Sequence, residues 1–302
     1  MDSNKNTDFR SGFVAVMGRP NVGKSTLINT LMGQKIAAVS PRPQTTRQMQ
    51  MGILTLEDAQ IIFVDTPGLH NPHHKLGEYM NKHAAEALGD ADLILFVVDG
   101  SESPPHEEDQ ILINLLKELR TQPEVILAIN KIDRLDENEL ADRQKEYLDL
   151  YLAAEPILIS ATRGDQLQAL IKLLASKLPE GEPFYPEEQI TDLYEREIAA
   201  DLIREAALIH LRDEVPHAIA IRVDEYTERG DGGAYIAATI FVERDSQKGI
   251  VIGKGGKMLK RIGTTARHEI EAMSGRKVFI KLRVKVRKNW RNDENSLRRF
   301  GF

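Results

Sequence analysis

Short apolar runs bounded by turn residues recur through the first 180 or so positions, at residues 12–17, 60–64, 125–129 and 156–159. Each has the length and flanks of a buried strand. A helical pattern over 26–32 follows the first of them, so the chain begins as strand, loop and helix. Near residue 179 the pattern changes. Residues 179–188 are rich in Pro, Gly and Glu, which ends the preceding helix and reads as a linker. Beyond it lies an amphipathic stretch over 191–211, with Leu193, Ile198, Leu202, Ala206 and Ile209 at helical spacing. Strand patterns at 218–225 and 235–242 flank Arg229-Gly230-Asp231-Gly232-Gly233, a hairpin signal. A glycine turn near 253, a helix over 258–274 and a strand over 277–286 complete the second half. The expected division is a tail at 1–11, a first domain at 12–178, a linker at 179–189, a second domain at 190–288 and a C-terminal tail or helix at 289–302.

The loop after the first strand reads Gly18-Arg19-Pro20-Asn21-Val22-Gly23-Lys24-Ser25, followed by Thr26. It fits G-x-x-x-x-G-K-S in the strand–loop–helix setting that the motif needs. Its backbone N–H groups and the helix N-terminus favour phosphate oxygens. Lys24 is placed to reach the β- and γ-phosphates, and Ser25 to ligate Mg²⁺. Asn130-Lys131-Ile132-Asp133 follows another strand and reads guanine. The Asp133 carboxylate accepts from guanine N1–H and the exocyclic amine, and adenine would leave it unpaired. The Lys131 stem covers the base, and Ser160-Ala161-Thr162 suits a loop whose backbone meets the guanine carbonyl. Asp65-Thr66-Pro67-Gly68 places a carboxylate for Mg²⁺ and an N–H for the γ-phosphate. In Gln44-Thr45-Thr46-Arg47 one threonine should ligate Mg²⁺ with GTP; Thr46 is favoured and Thr45 stays open.

These boxes, in this order across residues 12–178, resemble the translation-factor-related branch of P-loop GTPases. The resemblance implies a mixed, mainly parallel six-stranded α/β sheet with helices on both faces and an antiparallel edge formed by 47–65. One departure matters. Leu69 stands where Ras-like enzymes carry a water-orienting glutamine. In hydrophobe-substituted relatives intrinsic hydrolysis is slow and another group assists, and an asparagine at the Asn21 position helps hold K⁺ in some. Lys24, Thr46, Gly68 and Asn21 are therefore the residues expected to act in hydrolysis. His70, His73 and His74 read as solvated loop residues.

The second half carries Ile250-Val251-Ile252-Gly253-Lys254-Gly255-Gly256-Lys257, an apolar run entering a G-x-x-G turn. Glycines let backbone approach sugar-phosphate, Lys254 and Lys257 add charge, and the three apolar residues would floor unstacked bases. The element order resembles an α+β KH domain of type II, which clamps a short single strand of RNA. Charge agrees. Residues 244–302 hold 17 Lys/Arg against 5 Asp/Glu, while the rest holds 23 against 41, beneath a net charge of −6. Trp290 should anchor the last helix.

A G domain joined to a C-terminal KH domain, with Val284-Lys285-Val286-Arg287-Lys288-Asn289-Trp290 at its close, resembles the Era family of bacterial ribosome-assembly GTPases over nearly the whole chain. That implies GTP/GDP and single-stranded 16S rRNA near its 3′ end as partners, and a role in 30S maturation. It also implies a monomer in the cytoplasm with occasional peripheral contact with the membrane. The alternative is a GTPase whose basic domain docks protein or anionic membrane. There is no cysteine and so no disulfide, and no run of about 18 apolar residues.

Overall fold

The computed structural model describes residues 9–40, 46–67, 74–104, 106–150, 154–191, 195–230 and 232–302. Residues 9–34, 46–67 and 80–191 gather into one compact unit, and residues 35–40, 74–79 and 195–302 into a second.

The first unit is built on β1 (Arg10–Met17), β2 (Gln50–Thr55), β3 (Ala59–Asp65), β4 (Leu93–Asp99), β5 (Glu124–Asn130) and β6 (Glu155–Leu158). They lie in the order β2-β3-β1-β4-β5-β6. Only the edge pair β2–β3 is antiparallel, and its register sets Gln50 against Asp65. β3 and β4 are buried at every position, as a parallel strand covered on both faces must be. The helices are α1 (Lys24–Met32), α2 (Lys75–Asp90, of which residues 80–90 belong to this unit), α3 (Glu107–Glu118), α4 (Glu137–Leu150) and α5 (Leu167–Lys177). α3 begins Glu107-Glu108-Asp109 and ends near Lys117, matching its dipole at both ends. Val16 is level with Asp65, and Asp99 with Asn130. The carboxyl ends of four strands thus bring the sequence boxes to one edge of the sheet, where ligands bind open α/β sheets.

The expected linker is tied down within this unit. The Ser11 hydroxyl donates to the Glu182 carbonyl at 2.7 Å, Gln60 Nε2 to the Tyr185 carbonyl at 2.8 Å, and the Ile53 N–H to the Ile190 carbonyl at 2.9 Å. Phe184 packs its ring 5.1 Å from Phe13.

The second unit runs α6 (Glu195–His210), β7 (Ala220–Glu228), β8 (Ala234–Val242), α7 (Asp245–Ile252), α8 (Lys257–Ser274), β9 (Val278–Val286) and α9 (Glu294–Arg299). β7 pairs antiparallel with β8, and β8 pairs parallel with the edge strand β9. Ile198, Leu202 and Ala206 on α6 and Ile262, Ala266 and Ile270 on α8 close over the inner face of the sheet. Ile209 sits at the rim of the α6 stripe and is exposed. Trp290 is fully buried and donates from Nε1 to the Ala218 carbonyl at 2.9 Å, with Phe300 edge-on at 5.4 Å. It anchors the C-terminal segment, as expected. Within this unit Lys35 forms ion pairs of 2.7 Å with both Glu205 and Glu269, and Glu205 also accepts from the Val39 N–H at 3.1 Å. Among the described residues no helix is long and apolar enough to cross a membrane.

Candidate functional site

The loop between β1 and α1 needs its glycines. Gly23 has φ of 105°, and a Cβ there would lie 2.4 Å from the Asn130 side-chain nitrogen. Only glycine lets the loop curl this close to its neighbour. Lys24 follows at the start of α1. Its ammonium is buried and donates to the Gly18 carbonyl at 2.7 Å and the Arg19 carbonyl at 3.1 Å. Burial lowers its pKa to about 8, although Asp65 pulls the other way. Phosphate oxygens would favour the charged ammonium and raise that pKa again, so triphosphate binding takes up a proton above pH 8. The Lys24 contribution to affinity should be flat below pH 8 and fall by up to about tenfold per unit above it. Lys24→Arg keeps its charge throughout. Titrating affinity for both proteins isolates the lysine from guanine's own ionisation, and parallel pH profiles would contradict the assignment.

Ser25, Thr46 and Asp65 come from three separate segments and meet at one point. Ser25 Oγ lies 2.8 Å from Asp65 Oδ2 and 3.0 Å from Thr46 Oγ1, and Thr46 Oγ1 donates to Asp65 Oδ2 at 3.0 Å. Two hydroxyls and a carboxylate form the hard oxygen set that suits Mg²⁺, which keeps its remaining positions for phosphate and water. Thr66 turns its hydroxyl into the Val16 carbonyl at 2.8 Å, fixing the start of the loop that continues through Pro67. Thr45, Gly68, Leu69, His70 and His73 lie outside the described residues.

On the guanine side Asn130 ties two loops together. Its Nδ2 donates to the Val22 carbonyl at 2.8 Å and its Oδ1 accepts from the Ala161 N–H at 2.9 Å. Thr30 of α1 donates to the Ala161 carbonyl at 2.9 Å. Lys131 adopts φ of 67°, and its ammonium bonds the Asn21 carbonyl at 2.8 Å and the Asp99 carboxylate. The Ser160 hydroxyl donates to Asp133 Oδ1 at 2.6 Å, which holds that carboxylate in one orientation, and lies 3.3 Å from the Thr162 hydroxyl. Asp99 belongs to none of the sequence boxes, and only the fold reveals its place here. Burial would raise its pKa, yet the Lys131 ammonium and the Ser101 hydroxyl hold it below the usual value. Tyr147 donates to the Asp99 carbonyl at 3.0 Å, so α4 also braces this corner. Arg19, beside Pro20 in the phosphate loop, is drawn to Glu102 and to buried Asp109, with the Asp109 contact at 3.4 Å.

In the second unit Gly253 has φ of 72°, and a Cβ would lie 2.7 Å from Met258 Cβ. The G-x-x-G turn therefore packs directly against the first turn of α8, with Lys254 and Lys257 beside Gly255 and Gly256. One expectation is corrected. Ile250, Val251 and Ile252 do not form a common floor for bases. They lie on α7, where successive side chains point about 100° apart. Val251 is fully buried in the core, Ile252 packs against that core, and only Ile250 is exposed. An apolar groove does lie on the other side of the turn. A groove of about 430 Å³ runs from Gly256 along Leu259 and Gly263 of α8 to Ile280 and Leu282 of β9, with Lys260 and Lys281 on its rim.

A phosphate loop and a guanine box on one sheet edge, with a G-x-x-G groove in a separate αββααβ unit, define a P-loop GTPase carrying a KH domain. Comparison with known proteins gives the same two parts. Residues 13–131 match the family model described as 50S ribosome-binding GTPase, and residues 214–291 match the KH domain. Over 293 residues, 97% of each chain, the sequence is 47% identical to GTPase Era of Heliobacterium modesticaldum. A crystal structure of Era in complex with MgGDPNP and nucleotides 1506–1542 of 16S ribosomal RNA superposes with a TM-score of 0.91 at 40% identity, covering 97% of this chain and 99% of that one. An Aquifex aeolicus Era variant bound to GDP.AlF4- gives the same TM-score of 0.91, identity of 40% and coverage of 97% and 99%. The chain belongs to the Era family of GTPases, and it hydrolyses GTP.

Proposed function

We propose that the chain is a GTP-driven switch that binds single-stranded 16S rRNA near its 3′ end and assists maturation of the 30S subunit. The observation that carries this is the near full-length similarity to an Era bound at once to MgGDPNP and to nucleotides 1506–1542 of that RNA. The basic groove beside Gly256 supports it from this chain's own residues. The small-subunit reading is preferred over the 50S wording of the family model because that model spans only residues 13–131.

In this reading residues 12–178 work on the nucleotide and 190–288 on the RNA. The amides of 18–26 and the Lys24 ammonium hold the phosphates. Asp133 and the backbone of 160–162 hold guanine, and the N–H of Gly68 meets the γ-phosphate. Mg²⁺ on Ser25, Thr46 and Asp65 would neutralise charge developing between the β- and γ-phosphates. Leu69 offers no hydrogen bond to water, so K⁺ beside Asn21 is the proposed assistant. Equal hydrolysis rates in K⁺ and Na⁺ salts would remove it.

The switch itself rests on the segment that leads to Thr46. Lys35 and Val39, upstream of Thr46 in the sequence, are bound by Glu205 of α6, and Lys35 also by Glu269 of α8. By linkage, GTP should tighten RNA by the factor that RNA tightens GTP. The test is the affinity for the 16S fragment with GDP and with a non-hydrolysable GTP analogue. A difference of about fivefold or more is expected. Identical values would sink the switch and leave two independent sites on one chain.

A further inference from the structure

The groove beside the G-x-x-G turn does not end at β9. It opens at Arg267, Val278 and Phe279 into a second cavity of about 670 Å³, which shares those three residues and extends to Arg229, Gly233 and Lys277. Phe279 stands at the junction, and 57% of it is exposed. A lone exposed apolar residue is ordinary. This one is built into a stack. Phe279 and Tyr235 are direct partners across β8 and β9, with ring centres 5.8 Å apart and planes inclined by 13°. The Arg229 guanidinium lies 5.4 Å from the Tyr235 ring and 5.9 Å from the Phe279 ring.

We propose that Phe279, Tyr235 and Arg229 form a stacking platform for one nucleobase of the bound strand, flanking the segment held beside the G-x-x-G turn. The proposal rests on the RNA-binding reading and adds a subsite to it. Every base has a π-face, so an exposed, orientationally fixed ring with a cation beside it suits any base. Charge selects nucleic acid over an apolar peptide. The acidic groups around the second cavity are already engaged. Glu228 and Glu195 pair with Arg276, while Glu271 accepts from the Val278 N–H and faces Arg267. Exposed Lys277 and Lys281 flank Phe279 along the chain and supply charge for phosphates on either side of the stacked base. The strand would then leave the turn along α8, cross the edge strand β9 at Phe279 and end on the outer face of the sheet beside the β7–β8 hairpin.

The experiment uses the full chain and the 16S fragment 1506–1542, with 2-aminopurine substituted one position at a time through its single-stranded part. Stacking quenches this fluorophore. In the wild-type complex one position outside the G-x-x-G segment should be quenched. Phe279→Leu, which keeps apolar bulk but no π-face, should restore its fluorescence and weaken the fragment by about fivefold or more. Arg229→Gln should act in the same direction, and Phe279→Tyr should keep both quenching and affinity. Because Phe279 is exposed, these changes leave the core intact, which an unchanged melting temperature checks. If the fragment binds and no quenched position responds to Phe279→Leu, the platform is wrong while RNA binding stands. If the wild type does not bind the fragment at all, the RNA reading fails and takes the platform with it.

Discussion

Asp133→Asn is expected to lower GTP affinity by about 100-fold or more and to raise affinity for xanthosine triphosphate. The geometry sets the sign. Ser160 donates to Asp133 Oδ1 and so holds the carboxylate in one orientation, and in the proposed complex that carboxylate accepts from both guanine donors. In the variant the side-chain oxygen keeps the serine and still accepts from N1–H. The new amide then faces position 2 of the purine. There guanine presents an amine, so donor meets donor and a buried polar group is left unpaired. Xanthine presents a carbonyl, and the pair is restored. The change is isosteric and Asp133 is only half-buried, so the melting temperature should not move. Affinities of both nucleotides for both proteins decide the matter. Unchanged preference for guanine would remove Asp133 from base recognition.

What could be read from the sequence follows from distance along the chain. The phosphate loop was legible because its chemistry is contiguous. Gly18 to Ser25 supply the curl, the charge and the helix start within eight residues. The cluster of oxygens was legible only as three boxes, and the fold had to bring Ser25, Thr46 and Asp65 within 3.0 Å of one another. The brace from Asp99 to Lys131 was not legible. A strand-ending Asp followed by Gly carries no local mark of a partner 32 residues away. In the second half the turn was legible and its floor was not. A run of three apolar residues reads as one surface in an extended chain. On α7 it divides into one exposed, one half-buried and one core side chain. The apolar groove beside the turn is lined from α8 and β9. β9 is set in place by its parallel pairing with β8, a long-range register that no local pattern encodes. The groove residues Ile280 and Leu282 face the core side of β9, and the residues between them form its other face. Phe279, Lys281, Arg283 and Lys285 alternate at the period of an exposed strand face, with an aromatic residue leading three cations.

Lys254→Asp combined with Gly255→Asp is expected to abolish most RNA binding, by about 100-fold or more at low salt, without unfolding the domain. Both positions are exposed, and Gly255 has φ of 60° with no atom within 4 Å of the point where a Cβ would lie. Aspartate tolerates the left-handed conformation better than most residues, so the backbone cost is small. The electrostatic cost is large. One positive charge is replaced by two negative charges at the point where the turn approaches sugar-phosphate. Phosphate contacts carry no sequence information, so the loss should be similar for every single-stranded RNA tested. The dependence of log affinity on log salt should also become shallower, by about 0.7 for each phosphate that the turn no longer neutralises. GTP binding and hydrolysis in the absence of RNA should persist, because Lys24, Asp65 and Asp133 belong to the other unit. Salt titrations of RNA affinity beside a GTPase assay measure both halves. RNA affinity within about threefold of wild type, with an unchanged salt slope, would mean that the turn does not touch the phosphates and that another surface of the chain carries the RNA.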